Sequence, residues 1–258
     1  MRCYFDHNAT TPVSPAVLEA FLPAVQEVYG NASSIHYQGQ IAKQRLEMAR
    51  RQLAGAAGCD PKEVIFTSGG TESNNLAILG LVRNSGRRNP HVITTRIEHP
   101  SVLNTCAQLE REGASVTFTP VGSDGVVDPV EIQRALKPET VLISVMHANN
   151  ETGAVQPVAR IAAMAADAGV AFHVDGVQAF GKLPVRFSAL GATSYSLSGH
   201  KIGVPKGIGA LLVKKGSLVG PLQFGGRQEH GLRAATENVP GAVALGRAAV
   251  AVEEALEE

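Results

Sequence analysis

The chain has 258 residues, 44% of them hydrophobic, and its 23 basic and 23 acidic side chains leave a formal charge of zero. That length suits one large α/β domain, or a large and a small one, with a sizeable core. The balanced charge argues against a general nucleic-acid binder, whose phosphate contacts need surplus Lys and Arg.

No apolar run is long enough to span a bilayer, and Met1–Thr11 contains no apolar signal core. Cys3, Cys59 and Cys106 are widely spaced and odd in number. They form neither a disulfide framework nor a metal-site pattern, so a reducing cytoplasm is the expected setting. The glycosylation sequons at Asn8, Asn31 and Asn150 carry no weight in that compartment.

Along the chain, short β-branched and apolar runs at Glu63–Thr67, His91–Thr95, Ser115–Pro120, Thr140–Val145 and Val170–Asp175 predict strands. Between them, Ser73–Arg83, Pro100–Glu112, Pro129–Leu136 and Val158–Ala168 space their apolar residues at helical intervals. This alternation predicts βαβ units and a mostly parallel, buried sheet. Past Asp175, Thr193–Leu197 and Gly209–Val213 predict further strands separated by Gly- and Pro-rich turns. Pro240–Glu258 reads as one Ala-rich helix. The expected fold is therefore α/β, a mostly parallel sheet of about seven strands flanked by helices.

In such sheets ligands gather at the carboxyl ends of strands, near helix N-termini. After the first predicted strand comes Ser68-Gly69-Gly70-Thr71-Glu72. The glycines permit close backbone approach, and a phosphate fits there as well as an ordinary helix cap does. The run ending at Asp175 puts a carboxylate at the sheet edge, suited to a metal, a ribose, a protonated ring nitrogen, or simple capping. Three residues on, Gln178 is placed to meet a ring hydroxyl or merely solvent. Ser198-Gly199-His200-Lys201 offers hydroxyl and imidazole donors for a phosphate and an amine that, deprotonated, condenses with an aldehyde. His99 suits stacking and proton transfer, or capping of the helix beginning at Pro100. Asn150 suits a ring oxygen or a substrate carboxylate, or a turn. Taken together, an anion cup, an acidic strand end and a lysine are the functions that pyridoxal phosphate requires at once.

Gly176–Lys182 approaches the phosphate-binding loop of nucleotide hydrolases, but Leu183 stands where Ser or Thr binds magnesium. Pro184 then prevents the helix that such a loop begins. There is no G-x-G-x-x-G either, so nicotinamide and flavin readings lack their fingerprint.

The segments YFDHNATTP (Tyr4–Pro12), GNASSIHYQG (Gly30–Gly39), FTSGGTESNN (Phe66–Asn75), EHPSV (Glu98–Val102), NNETG (Asn149–Gly153), HVDGVQ (His173–Gln178), SGHKIGVPKGIG (Ser198–Gly209) and LRAATENV (Leu232–Val239) closely resemble, in order, those of the cysteine desulfurases within the class V aminotransferases. The resemblance implies the large domain of the pyridoxal-phosphate-dependent transferase fold (type I) over residues 15–258. It also implies an N-terminal segment, 1–14, that packs with a small domain not included here. By similarity Lys201 binds the cofactor aldehyde, and Asp175 pairs with the ring nitrogen. Gly70, Thr71, Ser198 and His200 hold the phosphate, and His99 stacks on the ring and relays protons. Gln178 meets the ring hydroxyl, Asn150 the ring or the substrate carboxylate, and Thr236 the phosphate of a partner subunit in a homodimer.

The implied reaction takes sulfur from L-cysteine onto an enzyme cysteine and releases alanine, supplying a sulfur acceptor or iron–sulfur scaffold protein. None of the three cysteines matches the family's nucleophile, so the chain is expected to be inactive alone, as if cut after its large domain. Ala234-Ala235, where Ser-Gly is common, and Arg227 are smaller departures. A selenocysteine lyase, another class V transferase and a non-catalytic protein of this fold are the alternatives.

Overall fold

The computed structural model describes residues 3–257. Seven strands, β1 (Val64–Thr67), β2 (His91–Thr95), β3 (Ser115–Thr119), β4 (Thr140–Met146), β5 (Ala171–Asp175), β6 (Ser194–Ser198) and β7 (Gly209–Val213), make one sheet. Their spatial order is β1-β7-β6-β5-β4-β2-β3. Strands β2 to β6 pair in parallel, while β7 runs antiparallel to both its neighbours, β6 and β1. The link from Gly199 to Ile208 explains the reversal, because a parallel crossover needs about a dozen residues or more and usually a helix. Strand β1 consequently points the same way as β6. The carboxyl ends of β1, β2, β4, β5 and β6 therefore share one edge of the sheet.

Side chains alternate across a strand, and here successive residues feed two cores. Ile65, Val92, Leu142 and Leu211 pack with Leu76 and Val102, from α3 (Gly70–Arg83) and α4 (Pro100–Arg111). Their neighbours Phe66, Ile93, Ile143 and Leu212 join a larger core on the other face. That second core draws on α1 (Pro15–Glu27), α2 (Tyr37–Ala57), α6 (Val158–Asp167) and α8 (Val239–Glu257). Two short helices, α5 (Pro129–Ala135) and α7 (Phe187–Leu190), complete the helical layers.

The predicted strand limits hold to within one residue, but α3 starts three residues before Ser73, at Gly70. The helix thus takes in the glycine, and its free amino end falls inside the Ser68–Glu72 turn. Helices α1 and α2 were not among the predicted elements. For α2 the signal was present: Ala42, Leu46, Ala49 and Leu53 recur every three or four residues and are all buried. Helix α1 opens on Ser14, whose side chain accepts from the Val17 N–H, with Pro15 at its first position, an arrangement that satisfies one exposed donor and presets the backbone.

The N-terminal residues run across the strand ends. Thr11 donates its backbone N–H and hydroxyl to the His200 carbonyl, and the Ser14 N–H bonds Gly203 O.

Ala235 adopts φ +93°, a region that disfavours any side chain with a Cβ. Ordinarily Ala→Gly lowers stability by about 0.4–1 kcal/mol through the unfolded chain. At this position Ala235→Gly is expected to be neutral or stabilising in a urea titration, because it removes the local strain.

Candidate active site

At the shared strand edge lies a cavity of about 530 Å³. All but one of the predicted residues arrive there, from five strand ends. Gly70 and Thr71 come after β1, His99 after β2, Asn150 after β4, Asp175 from the last position of β5, and Ser198, His200 and Lys201 from the end of β6. Gln178 also lines it. Thr236 does not; it sits exposed on the loop before α8.

The cup after β1 is a helix N-terminus whose cap residue is Gly69, without a side-chain cap bond. The first N–H groups of α3 therefore keep their partial positive charge for whatever occupies the cavity. A Cβ at Gly70 would fall 2.6 Å from a Val177 methyl, so any side chain there would have to displace Val177. Glu72 reaches back to the Ser68 N–H at 2.7 Å and is gripped by Arg233 at 2.8 Å. Burial alone would raise the Glu72 carboxyl, but these partners outweigh it and hold the group below its ordinary range.

Asp175 is buried, and burial pushes its carboxyl upward against the pull of the Val177 N–H, the Asn74 amide and the Lys201 charge. The adjacent Gly176 is obligatory, because a Cβ would lie 1.9 Å from the ring of Tyr195. Lys201 is shifted down, mainly by burial, with the charges of Asp6 and Asp175 opposing. Its ammonium donates to the Asn8 carbonyl and, at 2.9 Å, to Ala9 O. Lysine and carboxylate thus face one cavity, each desolvated and each the other's counter-charge.

His99 caps α4, its Nδ1 accepting from the Ser101 N–H at 3.1 Å. Capping and cavity lining are therefore the same placement for this residue. His200 is shifted down, by burial first and then by Lys201 and Lys206, and Nδ1 meets Thr10 Oγ1 at 3.1 Å. Gln178 donates to Asn8 O at 2.8 Å and accepts from Lys182 at 2.7 Å.

Several participants had no assigned role from sequence. Asp6, Asn8, Asn74 and Ser101 line the cavity; all lie inside matched motifs, but only tertiary contact reveals what they touch. Cys59 and Cys106 do not line it, and burial pushes each thiol up to about 12. Both are poor thiolates, in keeping with an incidental role.

Glu98 is also buried. Its Oε1 accepts from Thr95 Oγ1 at 2.7 Å and the Met146 N–H at 3.0 Å, while Oε2 has no partner. Burial pushes the group up to about 8, which favours the protonated acid. Because the folded value exceeds the unfolded one, this group favours folding fully at acidic pH, and the contribution is lost as pH rises toward about 8. Glu98→Gln, which mimics the protonated acid, should therefore gain stability relative to the parent as pH rises from about 5 to about 8. Urea midpoints at the two pH values check this; equal differences at both would contradict it.

The family model of the class V aminotransferases matches residues 3–257. Cysteine desulfurase 2 of Trichormus variabilis is 49% identical over 247 residues, which cover 95% of this chain and 62% of that protein. The chain thus spans about 62% of the length of this curated relative. A solved NifS-like protein superposes with a TM-score of 0.97 at 40% identity, over 100% of this chain and 71% of that one. A structure described as SspA in complex with cysteine gives 0.93 at 41% identity, over 96% and 72%. The sheet of seven strands, the convergence of its carboxyl ends and these similarities agree: the chain belongs to the class V aminotransferase family.

Proposed function

We propose that this chain is the cofactor-binding domain of a pyridoxal-phosphate-dependent cysteine desulfurase, with Lys201 as the cofactor lysine. The observation that carries the reading is the meeting, in one cavity, of the uncapped α3 terminus, the buried Asp175 carboxylate and the desolvated Lys201 amine. Those groups match the three demands of the cofactor, and about 530 Å³ lies within the usual range for small-molecule sites.

Pyridoxal phosphate, when bound, supplies an aldehyde that captures amines and a ring that accepts electrons. The protein's residues do the rest. The α3 terminus, Thr71, Ser198 and His200 bind the phosphate, and Asp175 keeps a proton on the ring nitrogen. Gln178 and Asn150 orient the ring and the substrate carboxylate. Lys201 Nζ and His99 would hold and move protons beside the bound ring. Among the described residues no thiol lines the cavity. The sulfur-accepting cysteine therefore lies outside this set, and the chain by itself is proposed not to turn over L-cysteine. The exposed loop at Thr236 suits a homodimer in which that residue reaches the partner's phosphate. Delivery of the sulfur to an iron–sulfur scaffold or other acceptor protein is part of the same proposal. Three free cysteines accord with the cytoplasm. No helix of the described residues is long and apolar enough to cross a membrane.

The test is a titration of the folded chain with pyridoxal phosphate, followed by visible absorption. A saturable band near the cofactor's lysine-bound form is expected. Asp175→Asn, which preserves shape but removes the charge under the ring nitrogen, should weaken binding by about tenfold or more. A folded sample without any band overturns the reading.

A further inference from the structure

Asn74 lies on the buried side of α3, 1% exposed, and its amide is fully committed. Nδ2 donates to Asp175 Oδ2 at 2.7 Å and to Ser101 Oγ at 2.8 Å. Oδ1 sits 3.0 Å from His173 Nε2. The opposite amide orientation would set an oxygen against the Asp175 carboxylate, so this one is required. An amide oxygen only accepts, which places the His173 proton on Nε2 and leaves Nδ1 to accept from Ser194 Oγ at 2.9 Å. His173 is wholly buried, and burial pushes it down to about 3, so the ring stays neutral.

On the other branch, Ser101 Oγ already accepts from Asn74. Its own proton is free for His99 Nδ1, 2.8 Å away. The Ser101 N–H aims at the same nitrogen at 3.1 Å. Two donors converge on Nδ1, leaving Nε2 as the protonated nitrogen available to the cavity.

We infer that Asn74 is a positioning residue that fixes the Asp175 carboxylate and, through Ser101, confines proton exchange by His99 to Nε2. Its meaning for catalysis rests on the function proposed above, but the hydrogen-bond directions do not. One buried amide thus ties the group under the ring nitrogen to the group stacked over the ring. Sequence alone hides the link, because its members lie 27 and 101 residues apart and each also passes for a core polar residue.

The experiment is nitrogen NMR on the whole chain labelled with ¹⁵N-histidine, with His99 and His173 assigned by His99→Gln and His173→Gln. In their neutral forms both rings should carry the proton on Nε2. Ser101→Ala should move the His99 Nδ1 resonance toward that of an unbonded acceptor. Asn74→Ala should mix the His173 tautomers and weaken pyridoxal phosphate binding by about tenfold or more. A wild-type ring protonated at Nδ1, a His99 signal indifferent to Ser101→Ala, or unchanged cofactor affinity in folded Asn74→Ala would overturn the inference. If Asn74→Ala does not fold, the wild-type tautomers and Ser101→Ala still decide it. If the wild type binds no cofactor, the functional reading falls while the tautomer measurement continues to test this one.

Discussion

Replacing Lys201 with alanine in the full-length desulfurase proposed to carry this domain should lower sulfide release from L-cysteine by at least about 10³-fold. The reason is local. Lys201 supplies an amine that lines the cavity with Asp175 and the α3 terminus, and burial lowers its proton affinity, the direction that a nucleophile and base require. Lys182 stands close by, and burial first, then the charge of Lys201, lowers its proton affinity too. Its ammonium, however, is engaged by Gln178 and Asn8, so it is not expected to substitute. Arginine at position 201 should fail as completely as alanine, since a guanidinium does not deprotonate at working pH. Activity within about tenfold of the parent in either variant would remove Lys201 from the mechanism.

The largest expected effect on stability lies away from the cavity. Arg50 and Glu229 form a bidentate pair at 2.8 and 2.7 Å with both side chains almost fully buried. Glu229 also accepts the Phe66 N–H, and Arg50 donates to Val64 O at 2.7 Å. This cluster clamps strand β1 to the turn at Glu229 and His230, which holds left-handed φ values of 44° and 58°. Glu229→Ala strands a buried guanidinium and frees a strained turn, so unfolding free energy should fall by about 3–5 kcal/mol. Arg50→Met combined with Glu229→Leu should cost less than the two single changes added together, because no charge is left unpaired. Urea unfolding of the three variants measures this. A loss below about 1 kcal/mol for Glu229→Ala would mean that the pair is solvated rather than buried. The same turn leads to Thr236, so the loop proposed to reach a partner subunit is anchored at its base by this ion pair and by Arg233 on Glu72.

What the sequence made legible was local or repetitive. The strands declared themselves by β-branched runs between turns, and their spacing implied parallel pairing. Once the pairing is parallel, residues that follow strands must meet at one edge, which is why Thr71, His99, Asn150, Asp175 and Lys201 could be grouped before any coordinates. The exception, β7, reverses because its connection is too short for a crossover. Helix α1 was harder to read, with Pro23 inside it and Leu18, Leu22 and Val25 exposed. Asn74, Ser101, Glu98 and the Arg50–Glu229 clamp were beyond reach. Each works through a buried bond to a distant segment, and neither periodicity nor turn chemistry encodes such a partner. Gly70, by contrast, was legible as a site of close backbone approach, and the structure adds that a Cβ there would press on Val177, as one at Gly176 would on Tyr195.

The role of Lys201 comes down to one covalent assignment. The chain would be incubated with pyridoxal phosphate, reduced with borohydride, digested, and its peptides weighed. A single phosphopyridoxyl group on the peptide containing Lys201, absent after Lys201→Ala, is the predicted result. Label on Lys182, label spread over surface lysines, or no label on the folded chain would contradict it.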